Sequence, residues 1–81
     1  MVRTTFSGRE IISVLRTFGY RPVSRSGSHV RLRYEHPETE EVRTVDVPMH
    51  DEVKIGTVRS IAKQCGAEDF EAWCRWIDEH T

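Results

Sequence analysis

Apolar residues recur with helical spacing near the start of the chain. The first set falls at positions i, i+3, i+4 and i+7 of a helix: Ile11, Val14, Leu15 and Phe18. Ser7 followed three residues later by Glu10 forms a capping box in front of this set. Gly19 follows it, and glycine readily adopts the left-handed backbone conformation with which helices commonly end. We therefore expect a first helix over about residues 8–18.

Two further helical stripes lie in the last third of the chain. The second stripe ends before Gly66 and comprises Val58, Ile61, Ala62 and Cys65. The third comprises Phe70, Trp73, Cys74 and Ile77. We expect Thr57 to help cap the second helix and Trp76, which lies off the third stripe, to be partly exposed or to pack on another element. Neither cysteine has a zinc or disulfide spacing, so both are expected to be core residues in a reducing compartment.

Between the first two helices the pattern changes to the alternation of β-strands. Residues 20–25 form a first strand, which Pro22 assigns to a sheet edge because proline has no N–H to donate. Residues 29–35 alternate, with Val30, Leu32 and Tyr34 on one face. Turn-forming residues follow over 36–40, and residues 42–47 return as a third strand. The order α-β-β-β-α-α predicts an α+β fold, with helices on one face of a three-stranded antiparallel sheet.

The strand register can be predicted from the same alternation. Pairing Val30 with Val47 keeps apolar side chains together, whereas a slip of one residue would set them against polar ones. This register places His29 opposite Pro48, at the point where the third strand ends. We therefore expect His50 to lie near His29.

Length and charge limit the kinds of protein this chain can be. Its 81 residues are expected to form a single domain over 1–81, with a helical C-terminal extension at about 68–80. No apolar run is long enough to cross a bilayer, and the polar start is unlike a signal peptide, so we expect a cytoplasmic protein without a membrane partner. The net charge of −1 conceals segregation: residues 1–33 carry seven basic and one acidic side chain, and residues 34–52 carry one basic and seven acidic. This predicts a positive face, although ordinary solvated charge gives the same pattern.

The most informative local feature is the sequence Gly27-Ser28-His29 at the start of the second strand. An imidazole titrates near neutral pH and can transfer a proton, while arginines such as Arg31 and Arg33 hold phosphate. This combination suggests chemistry on RNA. A surface histidine at the end of a strand is the plainer alternative.

Three motifs in order resemble the HicA-type, or YcfA-like, toxin family. They are Gly27-Ser28-His29, then Val47-Pro48-Met49-His50, then the run from Ile55 to Gly66. The resemblance covers roughly residues 7–70. It implies a fold like that of double-stranded-RNA-binding domains and an mRNA interferase of a type II toxin–antitoxin system. It also implies that His29 is catalytic and that a HicB-type antitoxin is the partner. The chain departs from the family in its slightly acidic composition and its longer tail.

Cleavage of RNA by its own 2′-OH requires a base, an acid and cations, so neither a metal nor another cofactor is expected. His29 is the expected proton-transfer residue. His50 is a candidate for the complementary acid, or is a loop histidine bonded to backbone. The candidate phosphate-binding residues are Ser28, Arg31, Arg33, Lys54, Arg59 and Lys63. Of these, Arg31 and Lys54 are preferred because the register brings them near His29.

Two other classes of function remain open at this point. One is a binding module that holds the RNA backbone without cutting it. The other is a protein-interaction domain whose charge blocks pair with an oppositely patterned partner. RNA cleavage, RNA retention without cleavage, and capture of a protein alone distinguish the three.

Overall fold

A computed structural model describes residues 2–81, in which three helices and one antiparallel sheet follow in the order α-β-β-β-α-α. The elements are α1 (Gly8–Thr17), β1 (Arg21–Ser26), β2 (His29–Glu35), β3 (Val42–Pro48), α2 (Ile55–Gln64) and α3 (Phe70–Glu79). This confirms the α+β class and the predicted order of elements.

The sheet has the strand order β1-β2-β3 and is covered on one face. Val30 pairs with Val47 and His29 with Pro48, as the alternation predicted. The side chains that point toward the helices are buried: Val30, Leu32, Val45 and Val47. His29, Arg31 and Arg33 stand on the other face and are exposed. The sheet therefore has one dry face and one face open to water.

The helices fill the covered side through the stripes that the sequence predicted. Their fully buried members include Ile11, Leu15, Val58, Ile61 and Ile77. Cys65 and Cys74 are buried too, and burial raises the pKa of both thiols. Trp76 is half-buried and packs on Phe18, with ring centroids 4.7 Å apart. The core thus joins all three helices to β2 and β3.

Several element boundaries differ from the prediction, and strand β3 extends one residue beyond the expected 42–47, to Pro48. Helix α1 ends at Thr17 because Gly19 takes a positive φ of 99° just after the cap residue Phe18. Strand β1 runs over Arg21–Ser26, because a bulge between Pro22 and Ser24 shifts its pairing. Helix α2 begins at Ile55 with Lys54 at its N-cap and no side-chain capping bond. The expectation that Thr57 caps α2 is therefore wrong, since Thr57 already lies within the helix.

The start of α1 is pressed against the end of β3. A Cβ atom added to Gly8 would lie 2.0 Å from the backbone oxygen of Pro48 and 3.0 Å from the Cα of Met49. The N–H of Gly8 donates to the carbonyl of His50 at 2.9 Å. A residue without a side chain is therefore required at this contact.

We predict that Gly8→Ala destabilises the protein by about 1–3 kcal/mol, because the methyl group overlaps backbone that cannot move aside. Gly56→Ala is the matched control, since nothing lies within 4 Å of a Cβ at this helical position. It should stabilise the protein by up to about 1 kcal/mol through helix propensity. Urea unfolding of both variants measures the difference. Equal effects of the two substitutions would contradict the close contact.

Arg3 links the start of the chain to α1 and α3. One of its terminal nitrogens lies 2.7 Å from both carboxylate oxygens of Glu10, and the other lies 3.2 Å from Asp78. The hydrogen bond from Arg3 lowers the pKa of Glu10 below its ordinary value of 4.5. Glu10 also accepts from the backbone N–H of Ser7 in the predicted capping box.

We predict that Glu10→Gln lowers stability at neutral pH by about 0.2–1 kcal/mol, the range of exposed ion pairs. Glutamine keeps the capping acceptor, so the change isolates the charge. Because the folded-state pKa is depressed, the contribution is complete above pH 4.5 and is lost as the pH falls through the folded-state value. Urea midpoints of both proteins across this range should converge in acid. A difference that persists in acid would show that the charge is not its cause.

Candidate functional site

His29 is the first residue of β2 and lies on the open face of the sheet. The turn before it consists of Gly27 and Ser28, because Ser26 of β1 pairs directly with His29. A tight hairpin turn of this length needs a positive φ, and Gly27 supplies it at 59°. The imidazole is consequently exposed at one end of the sheet.

His50 is held beside His29 by backbone hydrogen bonds on both sides of the connection that follows β3. The N–H of Met49 donates to the carbonyl of Ser28 at 2.6 Å, and the carbonyl of His50 accepts from Gly8. The rings of His29 and His50 have centroids 6.5 Å apart and planes at 67°. This confirms that the two histidines are neighbours. Both are exposed, so they are able to act on one bound group as base and acid.

A depression of about 190 Å³ lies on the open face next to this pair. Its lining is polar and consists of Ser24, Ser26, His29, Arg31 and Asp46. These residues form adjacent rows across the sheet, since Ser24 pairs with Arg31 and Arg31 pairs with Asp46. Hydroxyl, imidazole and guanidinium groups therefore surround a shallow and water-accessible floor.

The arginines of the open face are already paired with carboxylates. Arg31 donates from Nε and a terminal nitrogen to the two oxygens of Asp46, at 3.0 and 3.5 Å. This bond raises the pKa of Arg31. Arg33 lies 3.0 Å from the carboxylate of Glu35. The open face thus presents much less positive charge than its arginines alone suggest.

The remaining predicted cations are divided between two places. Lys54 is exposed at the N-cap of α2, on the connection that carries His50. Arg59 stacks over the ring of Phe70 at 4.4 Å, at the start of α3. Lys63 is exposed on the same helix as Arg59. Because α2 packs on the covered side of the sheet, Arg59 and Lys63 are not grouped with His29.

A larger groove of about 480 Å³ is lined by residues of α1 and by Met49, the residue before His50. Arg9 and Arg16 line it, and neither makes an ion pair within residues 2–81. The sequence-based site omitted both. Their spacing of seven residues could have indicated that both lie on one face of α1, away from the apolar stripe.

Within residues 2–81, no three His, Cys, Asp or Glu side chains come together as a set of metal ligands. No helix in the same residues has the length and apolarity required to span a membrane.

Comparison with known protein families gives a match over most of the chain. A family model described as the HicA toxin of bacterial toxin–antitoxin systems matches residues 8–67. This range includes α1, the sheet, both histidines and α2, whereas α3 lies beyond it. No curated protein and no solved structure gives a significant match.

Proposed function

The chain belongs to the HicA toxin family of bacterial toxin–antitoxin systems, and from this premise we propose that it is an endoribonuclease that cuts mRNA without a metal. The observation that carries the proposal is the exposed pair of imidazoles, 6.5 Å apart, at the end of the sheet. A HicB-type antitoxin is the proposed partner that neutralises the activity, in the cytoplasm where mRNA is translated.

In the proposed reaction the 2′-OH of the substrate attacks the adjacent phosphorus. His29 removes the proton of the 2′-OH as that oxygen forms its bond to phosphorus, and the bond from phosphorus to the 5′-oxygen breaks. His50 supplies a proton to the departing oxygen. The products are a 2′,3′-cyclic phosphate and a 5′-OH, so the nucleophile belongs to the RNA and no metal-bound water is needed.

The phosphates on either side of the cut need cations that are not neutralised within the protein. Arg9 and Arg16 meet this condition along the α1 groove, whose lining includes Met49, the neighbour of His50 in the chain. Lys54 and the turn residue Ser28 are close to the histidines along the chain. We therefore assign the backbone of the substrate to the α1 groove, with Arg31 and Arg33 in a secondary role because of their carboxylate partners.

We predict that His29→Ala lowers RNA cleavage in EDTA by about 100-fold or more, the usual contribution of a general acid or base. His50→Ala should have an effect of the same order if it is the acid. Gel analysis of a single-stranded RNA substrate measures the rates, and urea unfolding checks that each variant folds.

His80→Ala is the matched control, because His80 is also exposed but lies at the end of α3. Its rate should equal that of the unaltered protein. Full activity of His29→Ala would exclude a catalytic role. Retention of uncut RNA by the unaltered protein would favour the non-catalytic binding module instead.

We predict that Arg9→Ala and Arg16→Ala each weaken RNA binding and reduce the dependence of log affinity on log salt by about 0.7, one phosphate contact on a single strand. Asp46→Asn should strengthen binding, because it frees the charge of Arg31. Arg75→Ala is the control, since Arg75 stands on α3 beside Glu71. Fluorescence anisotropy over a salt series measures these changes. A larger loss from Arg31→Ala than from Arg9→Ala would move the RNA path to the open sheet face.

A further inference from the structure

The depression on the open face of the sheet is separate from the α1 groove to which the substrate backbone is assigned. Its volume of about 190 Å³ is below the roughly 300–1,000 Å³ of pockets that enclose a whole small-molecule ligand. His29 belongs to its lining, so it adjoins the proposed reaction. A single planar ring system is the part of a nucleotide that suits a space of this size.

The depression has a low floor and taller sides. Ser24 and Ser26 are alternate residues of the edge strand β1, so their short side chains stand on the same face of the sheet. Their partners on β2 are Arg31 and His29, whose longer side chains rise beside them. Unpaired RNA bases stack on aromatic rings such as histidine and on the plane of arginine. The floor and sides therefore form a shelf for one base.

Asp46 decides which chemical groups the depression accepts. Its carboxylate lies in the lining, where it repels phosphate and accepts hydrogen bonds from N–H donors. Arg31 lies 3.0 and 3.5 Å from its two oxygens, and the Asp46 backbone N–H donates to the side chain of Gln64 at 3.0 Å. A carboxylate has about four acceptor positions, so the pair with Arg31 leaves some of them unused. The lining thus offers a fixed acceptor as well as the donors of arginine and serine.

Guanine is the base whose edge matches this set best. Its Watson–Crick edge carries two neighbouring N–H donors, at N1 and N2, and one acceptor, O6. Two parallel N–H groups are the pattern that a carboxylate binds in bidentate form. Adenine and cytosine each present one amino group beside a ring-nitrogen acceptor, and uracil presents one N–H between two carbonyls. With any of these three bases, an acceptor of the base would face an oxygen of Asp46.

The position of the base along the RNA follows from the shared His29. In the proposed reaction His29 takes the proton of a 2′-OH, and the ribose carbon that bears this hydroxyl is bonded to the carbon that bears the base. A base seated beside His29 therefore belongs to the nucleotide that supplies the 2′-OH, on the 5′ side of the cut.

We propose that this depression is a guanine site, which places the cut on the 3′ side of a guanosine. Asp46 accepts the N1–H and N2–H of the base, Arg31 donates to O6, and the ring lies over Ser24 and Ser26. On RNA without guanine, Arg31 keeps only its secondary contact with the backbone. The position of the cut rests on the proposed function, whereas the preference for guanine in binding does not.

The preference is tested with 2′-fluoro pentanucleotides, which lack the attacking hydroxyl and are not cut. Four probes carry guanine, adenine, cytosine or uracil at the centre of a uridine strand, and a fifth carries hypoxanthine, which is guanine without its amino group. Fluorescence anisotropy should show at least about tenfold tighter binding of guanine than of the other three natural bases, with hypoxanthine in between. The proposal is overturned if the four affinities are equal, if another base binds more tightly, or if hypoxanthine binds as well as guanine.

Asp46→Asn should abolish the preference, because the amide replaces one acceptor with a donor. Any gain in backbone affinity from the freed charge of Arg31 is common to all the probes and cancels in the ratio. Glu35→Gln is the matched control, since Glu35 is the carboxylate paired with Arg33 on the same face but lies outside the depression. It should retain the ratio of the unaltered protein. A preference that survives Asp46→Asn, or that Glu35→Gln also removes, would exclude the site.

Mapping the cuts in an RNA of mixed sequence tests the position of the guanine relative to the reaction. The unaltered protein should cut mainly on the 3′ side of guanosines, and Asp46→Asn should lose this bias. Cuts distributed without regard to guanosine would overturn the assignment of the depression to the nucleotide 5′ of the cut. A protein that prefers the guanine probe but cuts no RNA would keep the guanine site and refute the endoribonuclease, so the two failures give different results.

Discussion

The contact between Gly8 and the end of β3 is the constraint on which the candidate site depends. The absence of a side chain lets α1 approach the carbonyl of Pro48, and the Gly8 N–H then fixes the carbonyl of His50. The bond from Met49 to Ser28 fixes the same connection from the side of the β1–β2 turn. Helix, turn and loop are thereby locked together at one point. The proximity of the two imidazoles follows from this backbone arrangement rather than from any contact of their own.

Much of this arrangement could be predicted from the sequence because it depends on alternation and turn chemistry. The apolar alternation of β2 and β3 allows only one register, so the pairing of His29 with Pro48 and the approach of His50 followed from it. The boundaries of β1 could not be predicted to the residue. A bulge beside Pro22 depends on how an edge strand meets its neighbour, and local propensity does not determine this.

The electrostatics of the site were harder to predict than its geometry. The register already set Arg31 opposite Asp46, yet whether two exposed side chains close into an ion pair depends on their rotamers and on the absence of a better partner. Arg9 and Arg16 could not be identified as site residues from the sequence. Their groove also includes Met49, which is distant in the chain and is brought beside α1 only by the fold. The ion pairs of Arg31 with Asp46 and of Arg33 with Glu35 remove much of the positive charge that the sequence assigned to the open face.

The burial of both cysteines has a consequence for how the folded protein responds to oxidants. Cys74 is fully buried and Cys65 is 7% exposed, and burial raises the pKa of both thiols, which favours the neutral form. Peroxides attack the thiolate, which is scarce and inaccessible here. The folded chain should therefore resist sulfenylation and covalent dimerisation at these two cysteines. Their oxidation would begin only in molecules that have unfolded.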